Sequence, residues 1–392
     1  MKIKTIKDID IVGKRVMIRV DFNVPLKDGV ITSDVRIKAA LPTINYALSQ
    51  NAKVILVSHL GRPKEGEYDK HLSLQPVADR LSDLLSQDVE LISSSIDEYI
   101  DFNGKNVVMY ENIRFQLGEK KNSDILSNHL AKQCDVFVMD AFATSHRAQA
   151  STYGVAKNAA EVCSGLLMDE ELTALSSALK NPENPLVAIV GGAKVSTKLT
   201  VLENLVDKVD TLIVGGGIAN TFLLAAGYPI GGSLVEKNLV GIAKELLNKS
   251  KVMNCQIPLP IDVRVASEFS ENAHAEVKLV TEVADNDMIL DIGPQTEKLF
   301  SQILSTSKTI LWNGPVGVFE FKNFGNGTES LSRNIISSSA FSVAGGGDTI
   351  AAIEKYNIKE KISYMSTAGG AFLEFLEGKK LPAVEVLLER SK

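Results

Sequence analysis

The stretch Phe341-Ser-Val-Ala-Gly-Gly-Gly-Asp-Thr349 is an apolar run that stops at three glycines and turns helical. The same pattern recurs in Pro185-Leu-Val-Ala-Ile-Val-Gly-Gly-Ala-Lys194, Thr211-Leu-Ile-Val-Gly-Gly-Gly217 and Tyr364-Met-Ser-Thr-Ala-Gly-Gly370. Each reads as a buried parallel strand, a tight turn and a helix start. Glycines at that junction let backbone N–H groups approach a phosphate, and the helix N-terminus adds partial positive charge. Taken singly, each reads first as a plain strand–helix turn. Four in one half, two of them carrying Lys or Asp-Thr, imply a sheet whose carboxyl edge is a nucleotide or phosphate platform.

Working outward, further strands are expected in the second half at 288–292 and 309–312, and in the first half at 16–20, 53–58, 107–110 and 136–140. Helical periodicity lies between them, at 38–50, 74–87 and 123–134, then 196–209, 236–248, 296–306, 328–339 and 349–356. This alternation implies parallel βαβ units covered on both faces, an α/β class of doubly wound sheets. At 392 residues the chain exceeds what one core usually supports, so two domains are expected. A helical stretch over 166–181, ending at Asn181-Pro-Glu-Asn-Pro185, reads as the connector between them. The tail Pro382-Ala-Val-Glu-Val-Leu-Leu-Glu-Arg390 is an amphipathic helix that needs an apolar partner.

The bulk numbers exclude several classes. Hydrophobic residues make up 45% and charged residues 23%, an ordinary globular balance. A net charge of −6 argues against general nucleic-acid binding. No run approaches the roughly 18 apolar residues of a membrane helix, and no signal-peptide pattern is visible. Cys134, Cys163 and Cys255 form no metal or CxxC spacing and are expected to be reduced and buried. A cytoplasmic enzyme is the expectation.

Two residue sets carry chemistry. In the first half, Arg19, Arg36, Arg62, Arg114 and Arg147 sit where strands end or loops begin, with His59 and His146 near two of them. Arginine suits fork-like binding of carboxylate and phosphate. Single surface arginines are equally solvated or ion-paired. Asp21 and Asn23 follow an apolar strand directly, before a proline stop. In the second half, Lys194 and Lys198 stand four apart, one helical turn, and so face one phosphate chain or are simply surface lysines. Asp348 is either an N-cap or a single carboxylate for Mg²⁺, which prefers few protein carboxylates plus phosphate oxygens. Glu320, after Trp312-Asn-Gly-Pro-Val-Gly-Val-Phe-Glu320, is either an exposed charge or a ribose acceptor. There is no P-loop string, and Asn220 occupies the third glycine position of a dinucleotide fingerprint.

The order and spacing of these segments resemble the phosphoglycerate kinase family from end to end. The carrying segments are Arg19-Val-Asp-Phe-Asn-Val-Pro25, Ser58-His-Leu-Gly-Arg-Pro63, Glu111-Asn-Ile-Arg-Phe115, His146-Arg-Ala148, Gly191-Gly-Ala-Lys-Val-Ser-Thr-Lys198, Val214-Gly-Gly-Gly217, Trp312 to Glu320 and Gly345-Gly-Gly-Asp-Thr349. The resemblance implies two Rossmann-like domains facing a cleft. The first spans 1–165 plus about 378–392, with the last helix returning to it. A helical hinge covers 166–181, and the second domain spans 182–377.

It further implies that Asp21, Asn23, Arg36, His59, Arg62, Arg114 and Arg147 hold 3-phosphoglycerate. Gly192, Ala193, Lys198, Gly216, Asn313, Glu320, Gly346, Gly347, Asp348 and Thr349 would hold ATP or ADP, with Mg²⁺ on Asp348. Arg36, Lys194, Lys198, Gly369 and Gly370 would act on the transferred phosphoryl group after hinge closure. A monomer with small-molecule partners, and neither nucleic acid nor membrane, completes the expectation. Gln149, Ala143 and Ala368 depart from the family's usual His, Gly and Gly, and Phe372 stands where a small residue is frequent. A nicotinamide-dependent oxidoreductase is disfavoured by the missing fingerprint. A non-catalytic phosphate binder is disfavoured by the presence of Arg36, Lys198 and Asp348.

Overall fold

Continuous apolar runs become the central strands of two parallel sheets. The computed structural model describes residues 2–93, 98–366 and 368–392. The chain divides into one unit of Met1–Thr173 with Lys380–Lys392 and another of Ala174–Lys379. The break falls within the helix Leu166–Leu179.

The strands of the first unit are β1 Arg15–Arg19, β2 Leu26–Lys27, β3 Val30–Ile31, β4 Lys53–Val57, β5 Val89–Ile92, β6 Val107–Tyr110, β7 Val136–Met139 and β8 Glu161–Ser164. Six of them form one parallel sheet in the order β5-β6-β4-β1-β7-β8, and β2 and β3 make a separate hairpin. Val16, Ile18, Val54 and Leu56 point to one face. They meet Ile37, Ala40, Ile44 and Ala47 of helix Val35–Ser49 and Val77, Ala78 and Leu81 of helix Gln75–Leu85. Met17, Ile55, Phe137 and Met139 are buried on the other face. Burial on both faces is what a parallel sheet requires, and it explains runs without alternation.

The amphipathic tail finds its partner here. Helix Pro382–Arg390 buries Ala383, Val386 and Leu387 and packs on β8 and on helix Val155–Asn158. Two of these side chains, Val386 and Leu387, contribute about 1.5–3 kcal/mol each through burial. Arg390 Nη2 donates to the carbonyls of Ala159 at 2.7 Å and Ala160 at 2.9 Å, which fixes the end of the helix.

The second unit holds β9 Leu186–Gly191, β10 Thr211–Gly215, β11 Asp262–Ala266, β12 Glu276–Leu279, β13 Met288–Ile292, β14 Thr309–Asn313, β15 Phe341–Gly345 and β16 Tyr364–Ser366. Five run parallel in the order β10-β9-β14-β15-β16. One face buries Ile189, Ile310 and Trp312 against Phe300, Leu304, Leu331, Ile335 and Ile353. All four glycine junctions of the sequence lie in this sheet, after β9, β10, β15 and β16. The segment 288–292 departs from the expected parallel pattern: β13 pairs antiparallel with β11 in a sheet ordered β12-β11-β13. Its apolar run serves a second small core with Val263, Val265, Leu223 and Ile230. The three cysteines are free and buried, and no helix among the described residues is long and apolar enough to cross a membrane.

Just past β7, Asp140 is fully buried and its Oδ1 accepts the Met168 N–H at 3.0 Å, while Thr43 Oγ1 accepts the Leu166 N–H at 2.9 Å. Two side chains thus hold the first turn of helix Leu166–Leu179. Burial pushes the Asp140 carboxyl up to about 7, against smaller lowering contributions from Thr43, Met168 and Leu167. A carboxyl raised above its unfolded value stabilises the protonated native state. That contribution is present in acid and is lost as pH rises through about 7. We therefore expect Asp140→Asn to flatten the stability curve. From pH 5 to pH 7.5 the wild type should lose a few kcal/mol relative to the variant. Urea midpoints measured at both pH values test this, and parallel curves would refute the assignment.

Candidate functional site

In the first unit the chain reverses direction across the sheet at β1: β4 lies on one side of it and β7 on the other. Ligands of open α/β sheets bind outside the carboxyl ends of strands at such a switch point. The basic set follows four neighbouring strands there. Asp21 and Asn23 follow β1, His59 and Arg62 follow β4, Arg114 follows β6 and Arg147 follows β7. Arg36 comes from the first turn of helix Val35–Ser49.

Contacts bring most of these groups together. Arg36 Nη1 donates to Asp21 Oδ2 at 2.5 Å. Asn23 Oδ1 accepts the Gly61 N–H at 2.9 Å, and Arg114 Nη1 donates to the Gly61 carbonyl at 2.6 Å. The loop carrying His59 and Arg62 is thereby tied to the elements beside it. Arg147 Nε lies 3.0 Å from His146 Nε2. Arg62 is exposed and makes no ion pair among the described residues.

Electrostatics set this cluster apart from ordinary ion-pair networks. Arg114 is buried, yet its Nε and Nη2 have no hydrogen-bond partner among the described residues. Burial, then the charges of Arg147 and Arg19, push its guanidinium down to about 10, so it stays charged at neutral pH. Burial and the positive charges of Arg19, Arg114, Arg147 and Arg36 hold His59 well below its ordinary value, so its imidazole is neutral. A buried cation with free donors costs several kcal/mol unless an anion meets it. The donor set fits a small anion with phosphate or carboxylate oxygens.

Arg19 stands at a strand end as expected, but its side chain does not join the surface of the cluster. It is the last residue of β1, on the same face as Met17, and is wholly buried. It lies beneath the cluster, not on its surface.

In the second unit the switch point lies between β9 and β14. The loops after these strands touch: a Cβ on Gly314, whose φ is +114°, would lie 2.2 Å from the Gly191 carbonyl oxygen. Asn313 is buried, accepts from Lys198 Nζ through Oδ1 and donates through Nδ2 to the Gly345 carbonyl at 2.7 Å. Thr349 Oγ1 accepts the Gly314 N–H at 2.8 Å and donates to the Gly345 carbonyl at 2.9 Å. Asn313 and Thr349 therefore act first as struts that join the ends of β14 and β15, with Lys198 bonded to Asn313.

Around these struts, Gly192 and Ala193 follow β9, Gly216 caps helix Gly217–Ala225, and Gly346 caps helix Gly347–Lys355. Gly347 and Asp348 form the first turn of the last of these. Gly369 and Gly370 open helix Gly369–Leu376 and are exposed. Asp348 and Glu320 are exposed and make no hydrogen bond or ion pair among the described residues. The free Asp348 carboxylate fits a cation that takes its remaining ligands from phosphate oxygens. No group of three or more His, Cys, Asp or Glu side chains suited to a metal occurs among the described residues.

One expectation changes. The helix expected over 196–209 begins at Leu199, and Val195–Thr197 is a 3-10 turn. Lys194 and Lys198 flank that turn instead of lying on one α-helical face. Lys198 is half-buried, which lowers its ammonium pKa, while Asp348 and Glu377 oppose that shift. Lys194 is exposed. Sequence reading missed Glu236, whose carboxylate accepts from the Ser196 N–H at 2.8 Å and hydroxyl at 2.6 Å and so fixes the turn. It also missed Asp291, fully buried beneath Gly317 and accepting the Gly327 N–H at 2.8 Å. Only their distant pairing gives them these roles, and no local pattern announces it.

Comparison with known proteins gives one family. A sequence model of the family described as phosphoglycerate kinase matches residues 6–379. The chain is 60% identical over 391 residues to a phosphoglycerate kinase of Francisella tularensis subsp. novicida, covering 100% of both chains. It is 61% identical over 391 residues, with the same coverage, to one of Francisella philomiragia subsp. philomiragia. Among solved structures, phosphoglycerate kinase from Coxiella burnetii matches with a TM-score of 0.97 at 51% identity over 100% of each chain. That from Pyrococcus horikoshii OT3 matches at 0.80 and 34% over 99% of each.

The Gly191–Gly314 contact is testable without any ligand. Gly314→Ala combines a left-handed backbone with a clash against a carbonyl, so a loss of at least about 1–3 kcal/mol is expected. Gly241, in a helix with open space around it, is the control: Gly241→Ala should be neutral or stabilising. Equal denaturation midpoints for the two variants would contradict the strain.

Proposed function

The chain belongs to the phosphoglycerate kinase family, and on that footing we propose that its two clusters divide the substrates of one reversible phosphoryl transfer between ATP and the carboxylate of 3-phosphoglycerate. As a member of that family it is an ATP-using phosphotransferase of glycolysis. The observation that carries the finer reading is the buried Arg114 with two unpartnered guanidinium nitrogens beside Arg36, Arg147 and neutral His59.

In this reading Asp21, Asn23, Arg36, His59, Arg62, Arg114 and Arg147 hold 3-phosphoglycerate. The nucleotide lies on the glycine junctions of the second unit, with Gly192, Ala193, Gly216, Gly346 and Gly347 offering backbone, and Lys198, Asn313, Glu320 and Thr349 offering side chains. A substrate carboxylate oxygen attacks the γ-phosphorus, the bond to the bridging oxygen breaks, and ADP leaves. The products are ADP and 1,3-bisphosphoglycerate. The nucleophile has a pKa of about 3–4 and is already ionised at neutral pH, so no general base is needed. This fits a site built from cations and N–H groups.

The barrier is the approach of one anion to another, so positioning and charge neutralisation supply the rate. Arg36 meets the carboxylate and the moving phosphoryl group. Lys198 and Lys194 meet the phosphate chain, and Gly369 and Gly370 present helix-start N–H groups. Asp348 would hold Mg²⁺, which would supply further charge neutralisation. Because the clusters sit on separate units, transfer requires the units to close, with helix Leu166–Leu179 as the hinge.

The test is a coupled assay. The protein, 3-phosphoglycerate and Mg-ATP are mixed with glyceraldehyde-3-phosphate dehydrogenase and NADH, and NADH loss is followed. Loss should require every component. Arg36→Ala should lower turnover by about 10²–10³ with ATP affinity unchanged, since it removes a donor used mainly in the transition state. A mild turnover defect would remove Arg36 from that role. Asp348→Ala should raise the Mg²⁺ concentration needed for half-maximal rate at least tenfold, whereas an unchanged magnesium curve would move the ion elsewhere.

A further inference from the structure

Beneath the basic cluster lies a buried chain of polar contacts that substrate binding does not account for. Glu119 is wholly buried and accepts the Ser151 N–H at 2.9 Å and the Ser151 hydroxyl at 2.6 Å. The Ser151 oxygen in turn accepts Arg19 Nε–H at 2.9 Å. Arg19 donates through Nη1 to the Val20 carbonyl, and its Nη2 lies 3.4 Å from His59 Nδ1. A guanidinium has donors only, so the ring nitrogen facing it must hold a lone pair.

We propose that Arg19 is a positioning residue that locks His59 as the neutral tautomer with its proton on Nε2, so that His59 meets its ligand as a hydrogen-bond donor and not as a cation. Glu119 and Ser151 hold Arg19 in the orientation that does this. That the ligand is an anion rests on the function proposed above. The lock itself does not.

The competing arrangement is visible in the geometry. Asp21 Oδ1 is 3.8 Å from His59 Nδ1 while its Oδ2 holds Arg36, so a proton on Nδ1 would give that carboxylate a second donor and make Arg36 share it. With Nδ1 committed to Arg19, Asp21 is left to Arg36. The charged groups facing His59 are Arg19 on β1, Asp21 after β1, Arg36 on helix Val35–Ser49, Arg114 after β6 and Arg147 after β7. Four cations face one carboxylate that is already paired, so a proton on His59 would add a fifth positive charge. A neutral donor gives directional recognition without that cost. Glu119 lies on the far side of Arg19 and balances its charge: burial raises the Glu119 pKa, and Arg19 and Ser151 pull it back.

The experiment uses the full chain without ligand, labelled with ring-¹⁵N histidine, and long-range ¹H–¹⁵N spectra from pH 5.5 to 8. His59→Gln assigns the signals. The wild type should show one neutral His59 with its proton on Nε2 at every pH. A freely titrating histidine would instead go from about a tenth to about nine-tenths protonated between pH 7.5 and 5.5. A titrating His59, or one with its proton on Nδ1, would overturn the proposal.

The double variant Arg19→Met, Glu119→Gln removes the donor and both buried charges at similar volume. It should release Nδ1, giving either the Nδ1–H form or an imidazolium inside the pH window. Persistence of the Nε2–H form would also overturn the proposal. Should that variant not fold, Ser151→Ala serves in its place: the Nδ1 shift must move toward the protonated value, and no movement counts against the lock. None of these readings needs phosphoryl transfer. A protein that shows the lock but binds no 3-phosphoglycerate would refute the function and leave the lock standing.

Discussion

A guanidinium cannot be buried without acceptors unless something outside the protein supplies them. Arg114 keeps two buried nitrogens without a partner among the described residues, and the charges acting on it, Arg147 and Arg19 against Glu119 and Asp21, are evenly split. The sheet pays for this, because β6, β4, β1 and β7 have buried cores on both faces and rigid carboxyl ends from which the loops project. A site assembled on flexible segments would relax until each arginine found a carboxylate or water. Here Asn23, Arg114 and the Gly61 backbone fasten three loops together, so the charges stay where the strands deliver them.

Strand order decides where such a site can form. In both sheets the chain reverses beside its first long strand, β1 in one unit and β9 in the other. The loops on either side of that reversal leave in opposite directions and open a crevice. In the second unit the crevice is narrow at its base. The β9 and β14 loops approach so closely that neither Gly191 nor Gly314 has room for a side chain. Asn313 and Thr349 then tie that base to β15, and Lys198 leans on Asn313. Asn313, Thr349 and Lys198, expected from the sequence to meet a nucleotide, also hold the crevice together. Substituting them would change geometry as well as contacts.

Much of this was legible in the residue order. Apolar runs ending in glycine mark β9, β10, β15 and β16 because a parallel strand is buried on both faces and its turn must be tight. The tail helix was legible from its stripe of Ala383, Val386 and Leu387. What failed was long-range. β5 is mostly half-buried and β8 starts at exposed Glu161, so neither shows the continuous apolar run that marks β6 and β7 at the same length of four residues. β13 has the same apolar run as its parallel counterparts, and only its partners make it antiparallel. Lys194 and Lys198 have helical spacing, but Glu236 holds Ser196 in a 3-10 turn from forty positions away. Arg19 shows the limit most sharply. It stands among arginines that serve the surface of the site, and the parity it shares with Met17 sends it inside.

The two clusters present positive charge by different means. The first uses side-chain cations whose forks fix the planes of a few oxygens, which suits a small, compact anion with two distinct ends. The second uses helix starts at Gly217, Gly347 and Gly369 with half-buried Lys198 and free Asp348. Backbone N–H groups carry partial charge and impose little end-to-end order, which suits an extended polyphosphate whose remaining charge a metal shares. Fixed full charges thus gather in one unit and distributed partial charges in the other. A neutral His59 belongs to the same logic: with four cations already facing it, another positive charge would strengthen the hold on the ground state without adding direction.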